Sequence, residues 1–197
     1  MYRTLVALAA AATVGSLSLS APATAGVSTD TVSISSFSFA PEALRVAQGA
    51  TVTWTNLDPT LHTVTSDVGL FDTGDIAAGG GTASLTFDSA GRFRYHCMHH
   101  SFMRASVVVP LVVDGGSAAD GWKLRWATGA APDGVAYDVQ FRKADAKTWR
   151  NLRQDTTHAG GKLNPSAPGD YVVRARTSNT ALGEESGWSP KVPLTIS

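Results

Sequence analysis

Past residue 25 the chain is written in short alternating runs. "TVSISSFSF" (31–39), "TVTWTN" (51–56), "ASLTF" (83–87), "RFRYHC" (92–97) and "SVVV" (106–109) follow one another, and turn residues break them at Gly49, Asp58-Pro59, Gly79-Gly80-Gly81 and Gly91. An apolar residue at every second position is the mark of a strand with one face on a core. Strands this short, separated by Gly, Pro and Asp, predict a β-sandwich or barrel, and no segment past the N-terminus has the 3.6-residue period of an amphipathic helix.

The alternation resumes with different content in "WKLRWAT" (122–128), "AYDVQFRK" (136–143), "TWRNL" (148–152) and "DYVVRARTS" (170–178). Tyr137, Val139 and Phe141 share one face, as do Tyr171, Val173 and Ala175. The two halves share a class of architecture but no sequence repeat. Between them "PLVVDGGS" (110–117) reads as a linker,. With 197 residues there is room for two domains of about a hundred,. The expected organisation is therefore a first domain over 26–110, then a linker and second domain over 111–197.

Residues 1–25 stand apart. Arg3 precedes an apolar stretch from Leu5 to Leu19, and Ala23-Thr24-Ala25 closes it in an A-x-A pattern. This is the form of a secretory signal peptide cleaved before Gly26. No later stretch is apolar for long enough to span a bilayer,. A mature protein secreted, or held in a periplasm or cell envelope, is the expectation. Charge adds little. Residues 26–110 carry seven acids and four arginines, a balance of −3, and residues 111–197 carry eleven bases and nine acids, a balance of +2. Neither half has the basic stripe that nucleic acid requires.

One stretch concentrates chemistry. "YHCMHHSFM" (95–103) contains the only cysteine of the chain, three of its five histidines and two of its three methionines. Alternation puts Phe93, Tyr95 and Cys97 on the core face and turns His96 outward. His100 and Met103 then follow at intervals of three, before "SVVV" resumes a strand. A C-x-x-H-x-x-M turn can bring a thiolate, an imidazole and a thioether to one point. His62 in "LDPTLHTV" is the leading candidate for a fourth donor, since His158 lies in the second half in the polar "DTTHAGG". Two imidazoles, a thiolate and a weak thioether select copper, because thioether is a poor zinc ligand. Binding a metal also accounts for an unpaired thiol in an exported protein. His96 and His99 are read as solvated side chains, not as a second metal site.

Residues 32–109 resemble the cupredoxins, in particular those of amicyanin and plastocyanin type. The resemblance rests on "SFSFAPEALRVAQGATVTWTN", "LHTV", "FDTGDIAAGG" and above all "YHCMHHSFMRASVVV". It implies an all-β, Greek-key sandwich with one copper ion, cycling between Cu(I) and Cu(II), held by His62, Cys97, His100 and Met103 at one end. It also implies one-electron transfer with a redox partner protein. Four positions make three departures from the pattern: His99 and Ser101 replace prolines around His100, Thr63 replaces an asparagine, and Ala105 replaces a glycine. A backbone N–H at Thr63 would still reach the cysteine sulfur, while the asparagine side-chain tether is altered. Met98 and Phe102 would form an apolar collar beside His100.

Residues 118–197 resemble a fibronectin type III domain, an immunoglobulin-like sandwich, through Trp126 in "KLRWAT", Tyr137 in "YDVQFR", Tyr171 in "LNPSAPGDYVVRART" and "SGWSP" (186–190),. Such a domain would act as a spacer, or alternatively as a contact for a surface, protein or carbohydrate. Enzymes fit poorly: a multicopper oxidase needs His-x-His pairs that the chain lacks, and a cysteine hydrolase places its thiol at a helix N-terminus, not at the end of a strand. The serious rival to electron transfer is an extracellular copper carrier or buffer that binds the metal without redox cycling, favoured by the surplus of His96, His99 and Met98.

Overall fold

The computed structural model describes residues 29–117 and 119–196. The expected signal peptide lies outside the described residues. Among those residues no helix is long and apolar enough to cross a membrane.

Among the described residues the first half has eight strands: β1 (Thr29–Ser35), β2 (Ser38–Ala40), β3 (Ala43–Arg45), β4 (Ala50–Asn56), β5 (Thr65–Ser66), β6 (Gly81–Phe87), β7 (Gly91–His96) and β8 (Arg104–Val109). They form two sheets, ordered β2-β1-β4-β6 and β3-β8-β7-β5. The pairs β1–β4 and β3–β8 are parallel, and the other neighbours are antiparallel. Strand alternation does what the hydrophobic pattern predicts. In β4, Val52 and Trp54 point inward; in β7, Phe93 and Tyr95 do. These residues meet Val32, Ile34, Phe39, Phe87 and Val107 in one core, and Cys97 and Met103 belong to the same cluster. At its centre Trp54 Nε1 donates to the Tyr95 hydroxyl over 3.1 Å. Burial raises the Tyr95 phenol to about 12,.

The run at 31–39 is not one strand. Ser36 and Phe37 turn β1 into β2 with φ of 51° and 55°, so the core-facing positions change parity from Val32 and Ile34 to Phe39.

The second half supplies β9 (Val112–Ser117), β10 (Gly121–Arg125), β11 (Val135–Lys143), β12 (Arg150–Thr156), β13 (Gly160–Leu163), β14 (Gly169–Asn179), β15 (Glu184–Glu185) and β16 (Val192–Ile196). One sheet runs β13-β10-β9 and the other β12-β11-β14-β15, with β16 also on β14. Trp126, Tyr137, Val139, Tyr171 and Val173 form a second core. Tyr171 donates its hydroxyl to the Ala167 carbonyl, 2.8 Å away. Arg174 lies over Trp149 at 3.9 Å and over Trp188 at 4.1 Å. The all-β, sandwich expectation therefore holds.

The linker reading of 110–117 does not hold. Leu111 is buried in the second core, and Val112–Ser117 is β9, paired with β10. Its glycines serve geometry, not flexibility: Gly116 has φ of 158°, and a Cβ there would stand 2.4 Å from the Gly121 carbonyl oxygen. The two halves are also joined by side contacts. Arg92 and Gly187 exchange backbone hydrogen bonds of 2.8 and 3.0 Å, Ser89 and Thr177 hydroxyls meet at 2.8 Å, and Asn179 Nδ2 donates to the Gly69 carbonyl over 2.9 Å.

Candidate metal centre

Cys97 follows the last residue of β7 with its side chain fully buried, as period two requires,. Three backbone hydrogen bonds then curl the segment 97–103: His100 N–H to Cys97 O (3.2 Å), Met103 N–H to His100 O (2.9 Å) and Cys97 N–H to Met103 O (3.2 Å). The spacing of three thus becomes two successive turns, which bring the His100 imidazole back to the Cys97 thiol. His62 comes from the segment between β4 and β5. It is fully buried and pinned by a two-way backbone bridge with Ile76, of 3.3 and 2.7 Å.

Among the described residues, one group of His, Cys and carboxylate donors has metal-site spacing: His62, Cys97 and His100, with donor atoms all within 4.8 Å of one another. Nδ1 of His62 and Nδ1 of His100 each lie 3.6 Å from Cys97 Sγ. The chemistry of this set, one thiol and two imidazoles in a buried cluster, fits a copper ion. Met103 is buried at the same end of the core.

Two supports for the cluster come from Thr63. Its backbone N–H donates to Cys97 Sγ over 3.4 Å, as expected from its place after His62. Its hydroxyl accepts the Met98 N–H at 2.9 Å, so threonine does tie the two donor segments together at the position where asparagine was missed.

Sequence reasoning overlooked Asp58 and Asn56. Asp58 was read only as a turn residue, yet its carboxylate is buried and its Oδ2 lies 3.0 Å from His62 Nε2. A carboxylate there sets the tautomer: Nε2 carries the proton and Nδ1 presents a lone pair toward Cys97. The same carboxylate accepts the N–H groups of Ser36 (2.6 Å) and Phe37 (2.9 Å). The Phe37 N–H is the strongest influence holding Asp58 below the usual carboxylate range; burial opposes it, and the Ser36 N–H and His62 add to it,. Asn56, fully buried, donates Nδ2 to the Thr60 and Ile76 carbonyls and accepts the Asp58 N–H, which shapes the segment carrying both Asp58 and His62. The available signal was the spacing of four from Asp58 to His62.

His96 and His99 lie outside the cluster. His96 Nδ1 is 2.6 Å from Asp67 Oδ1, and His99 Nε2 is 2.6 Å from Asp75 Oδ1. The half-buried His100 ring has two exposed aromatic neighbours, Phe37 at 4.9 Å and Phe102 at 6.0 Å between ring centroids, and the His99 ring at 6.3 Å; Phe102 is 70% exposed.

Fold and donor set together define the class, a β-sandwich with, among the described residues, one thiol–imidazole cluster suited to copper,. The family of copper binding proteins of the plastocyanin/azurin type matches residues 26–110. Amicyanin from Paracoccus denitrificans is 38% identical over 109 residues, which are 52% of this chain and 82% of that protein. Solved amicyanin structures are also similar. A reduced Cu(I) variant at pH 4 shares 34% identity, covering 41% of this chain and 81% of its own, with a TM-score of 0.39. An oxidized variant shares 33%, covering 44% and 87%, also with a TM-score of 0.39. The chain belongs to the plastocyanin/azurin family of copper-binding proteins, and its cofactor is one copper ion.

Proposed function

We propose that the protein is an exported type 1 copper protein that carries single electrons between redox partner proteins, with His62, Cys97, His100 and Met103 as its copper ligands. Convergence of one thiol and two imidazole nitrogens within 4.8 Å is the observation that carries this reading. Copper bound there supplies one-electron exchange between Cu(II) and Cu(I). The chain's own residues supply the rest. Asp58 and the Ile76 bridge hold His62 in one orientation, and the Thr63 N–H donates to the sulfur and tempers its charge,. The sandwich core excludes water from Cys97 and Met103. Of the four proposed ligands, only His100 is not fully buried, and the exposed Phe37 and Phe102 rings flank it, a form suited to brief contact with a partner's apolar face,.

A copper carrier or buffer would draw on His96 and His99, and both are engaged by carboxylates in place of the cluster. That favours electron transfer. Replacing His100 by Gly and adding free imidazole tests the arrangement. The thiolate-to-copper absorption should vanish in the variant and return with imidazole; absorption unchanged by the substitution would remove His100 from the ligand set. Ready loss of copper from the native protein to a mild chelator would favour the carrier instead.

The domain limits 26–110 and 111–197 remain our assignment, supported by two separate cores. The second domain reads as fibronectin type III-like, because Trp126 is fully buried and the Tyr171 hydroxyl reaches back to the carbonyl of Ala167,. We assign it a spacer role. Export rests on the signal-like N-terminal segment.

A further inference from the structure

Phe37 is outside both segments that carry the donors, yet its ring stands edge-on to both imidazoles. The ring centroids are 5.6 Å apart for His62, at 85°, and 4.9 Å apart for His100, at 78°. An unusual backbone brings it there. A two-residue hairpin turn with positive φ at both positions is normally filled by Asn-Gly or Asp-Gly, because a side chain with a Cβ is crowded in that region. Here the two residues are Ser36 and Phe37, at 51° and 55°.

The Asp58 carboxylate holds this turn. It takes both N–H groups, Ser36 on Oδ1 and Phe37 on Oδ2, and the same Oδ2 meets His62 Nε2. One buried anion therefore fixes an aromatic ring and an imidazole in a common frame. Burial does not explain the phenylalanine, which is 43% exposed, and chain reversal alone would be better served by glycine,. A strained residue that gains little from burial, but contacts two functional rings, points to use of the ring itself. The loop from Cys97 to Met103 contains no proline to stiffen it; Phe102 of the same loop stands 6.0 Å from the His100 ring, and Phe37 of the β1–β2 turn supplies the ring contact from outside.

We propose that Phe37, clamped by Asp58, is a positioning residue of the metal centre: it restrains the His100 ring and shields the imidazole pair from water, and so biases the balance between Cu(II) and Cu(I) without donating to the metal. This rests on the reading of His62, Cys97 and His100 as copper ligands. Removing the ring admits water, which favours the more highly charged ion.

The test compares full-length protein with Phe37→Asn, Phe37→Gly and Phe37→Tyr variants. Asn and Gly tolerate positive φ and lack the ring; Tyr keeps the ring. In copper-free protein, NMR reads the chemical shifts and relaxation of the His100 ring protons. In copper-loaded protein, the Cu(II):Cu(I) ratio is read at one fixed redox poise. Asn and Gly variants should unfold at no lower urea concentration than the native protein, lose the ring-current displacement of His100, and raise the ratio about threefold or more. Tyr should restore both readouts. Native His100 shifts together with a native ratio in the Asn and Gly variants would overturn the proposal, as would a Tyr variant that behaves like Asn. Absence of thiolate–copper absorption in the native protein would overturn the ligand reading instead, and the copper-free NMR comparison would still decide whether Phe37 positions His100.

Discussion

Asp58→Ala removes one side chain and leaves three donors without their acceptor. Those donors are the N–H groups of Ser36 and Phe37, at 2.6 and 2.9 Å, and His62 Nε2, at 3.0 Å. A hydrogen bond to a charged group contributes about 1.5–3 kcal/mol. Ser36 and Phe37 sit at an exposed turn where water can replace the carboxylate, so their shares fall at or below the bottom of that range. His62 is fully buried, and its Nε2–H has no such substitute. A total loss of about 3 kcal/mol is expected for the first domain at neutral pH. Urea unfolding of copper-free protein, with hydrogen exchange at the Val52 and Trp54 amides to isolate the first core, measures it. The pH dependence has a definite sign. Asp58 is held below its ordinary value of 3.8 in the folded state, so its contribution is complete above that value and is lost as pH falls through the lower, folded value,. The native and Ala proteins should therefore converge in strong acid. A loss below ~1 kcal/mol at neutral pH would refute the role given to this carboxylate, and so would a loss that persists undiminished in acid.

Two further predictions concern the supports around the cluster. Thr63→Val deletes the hydroxyl that accepts the Met98 N–H but keeps the backbone donor to Cys97 Sγ. It should weaken the loop tether by about 1 kcal/mol and speed copper transfer to a chelator roughly fivefold, with the absorption band in place; an unchanged rate would show that the tether is idle. Tyr95 should stay protonated in an alkaline ultraviolet titration until about pH 12. Because its folded value is raised, the associated stability is complete below pH ~10 and lost as pH rises toward that higher value. An absorbance step at the ordinary tyrosine pH that is lost on Tyr95→Phe substitution would contradict the buried Trp54–Tyr95 pair.

The parts of this protein that sequence revealed are those set by a simple repeat. Burial of one sheet face imposes period two, so Val52 and Trp54, or Phe93, Tyr95 and Cys97, announce their own direction. The turn at 97–103 was readable because Cys97, His100 and Met103 are rare residue types at equal spacing. Tertiary partnerships were hidden. Asp58 beside Pro59 has the composition of an ordinary turn, and nothing local shows that its carboxylate reaches back to Ser36 and Phe37, over 20 residues earlier. The break in "TVSISSFSF" did leave a trace in the shift of apolar parity between Ile34 and Phe37, which a reading of the run as one strand passes over. "DGGS" has linker composition, but Leu111 and the pairing of β9 with β10 draw it into a sheet. At Thr63 the reading of an altered tether with a retained backbone N–H agrees with the structure, in which the hydroxyl accepts the Met98 N–H.

The central claim is a thiolate–imidazole copper centre that changes oxidation state in place. The most direct measurement is the visible absorption and electron paramagnetic resonance of mature protein loaded with Cu(II), before and after a mild reductant and reoxidation. An intense blue band with narrow copper hyperfine splitting, bleached and restored without loss, is expected. A pale spectrum, or colour lost irreversibly with Cys97 oxidised, would contradict it.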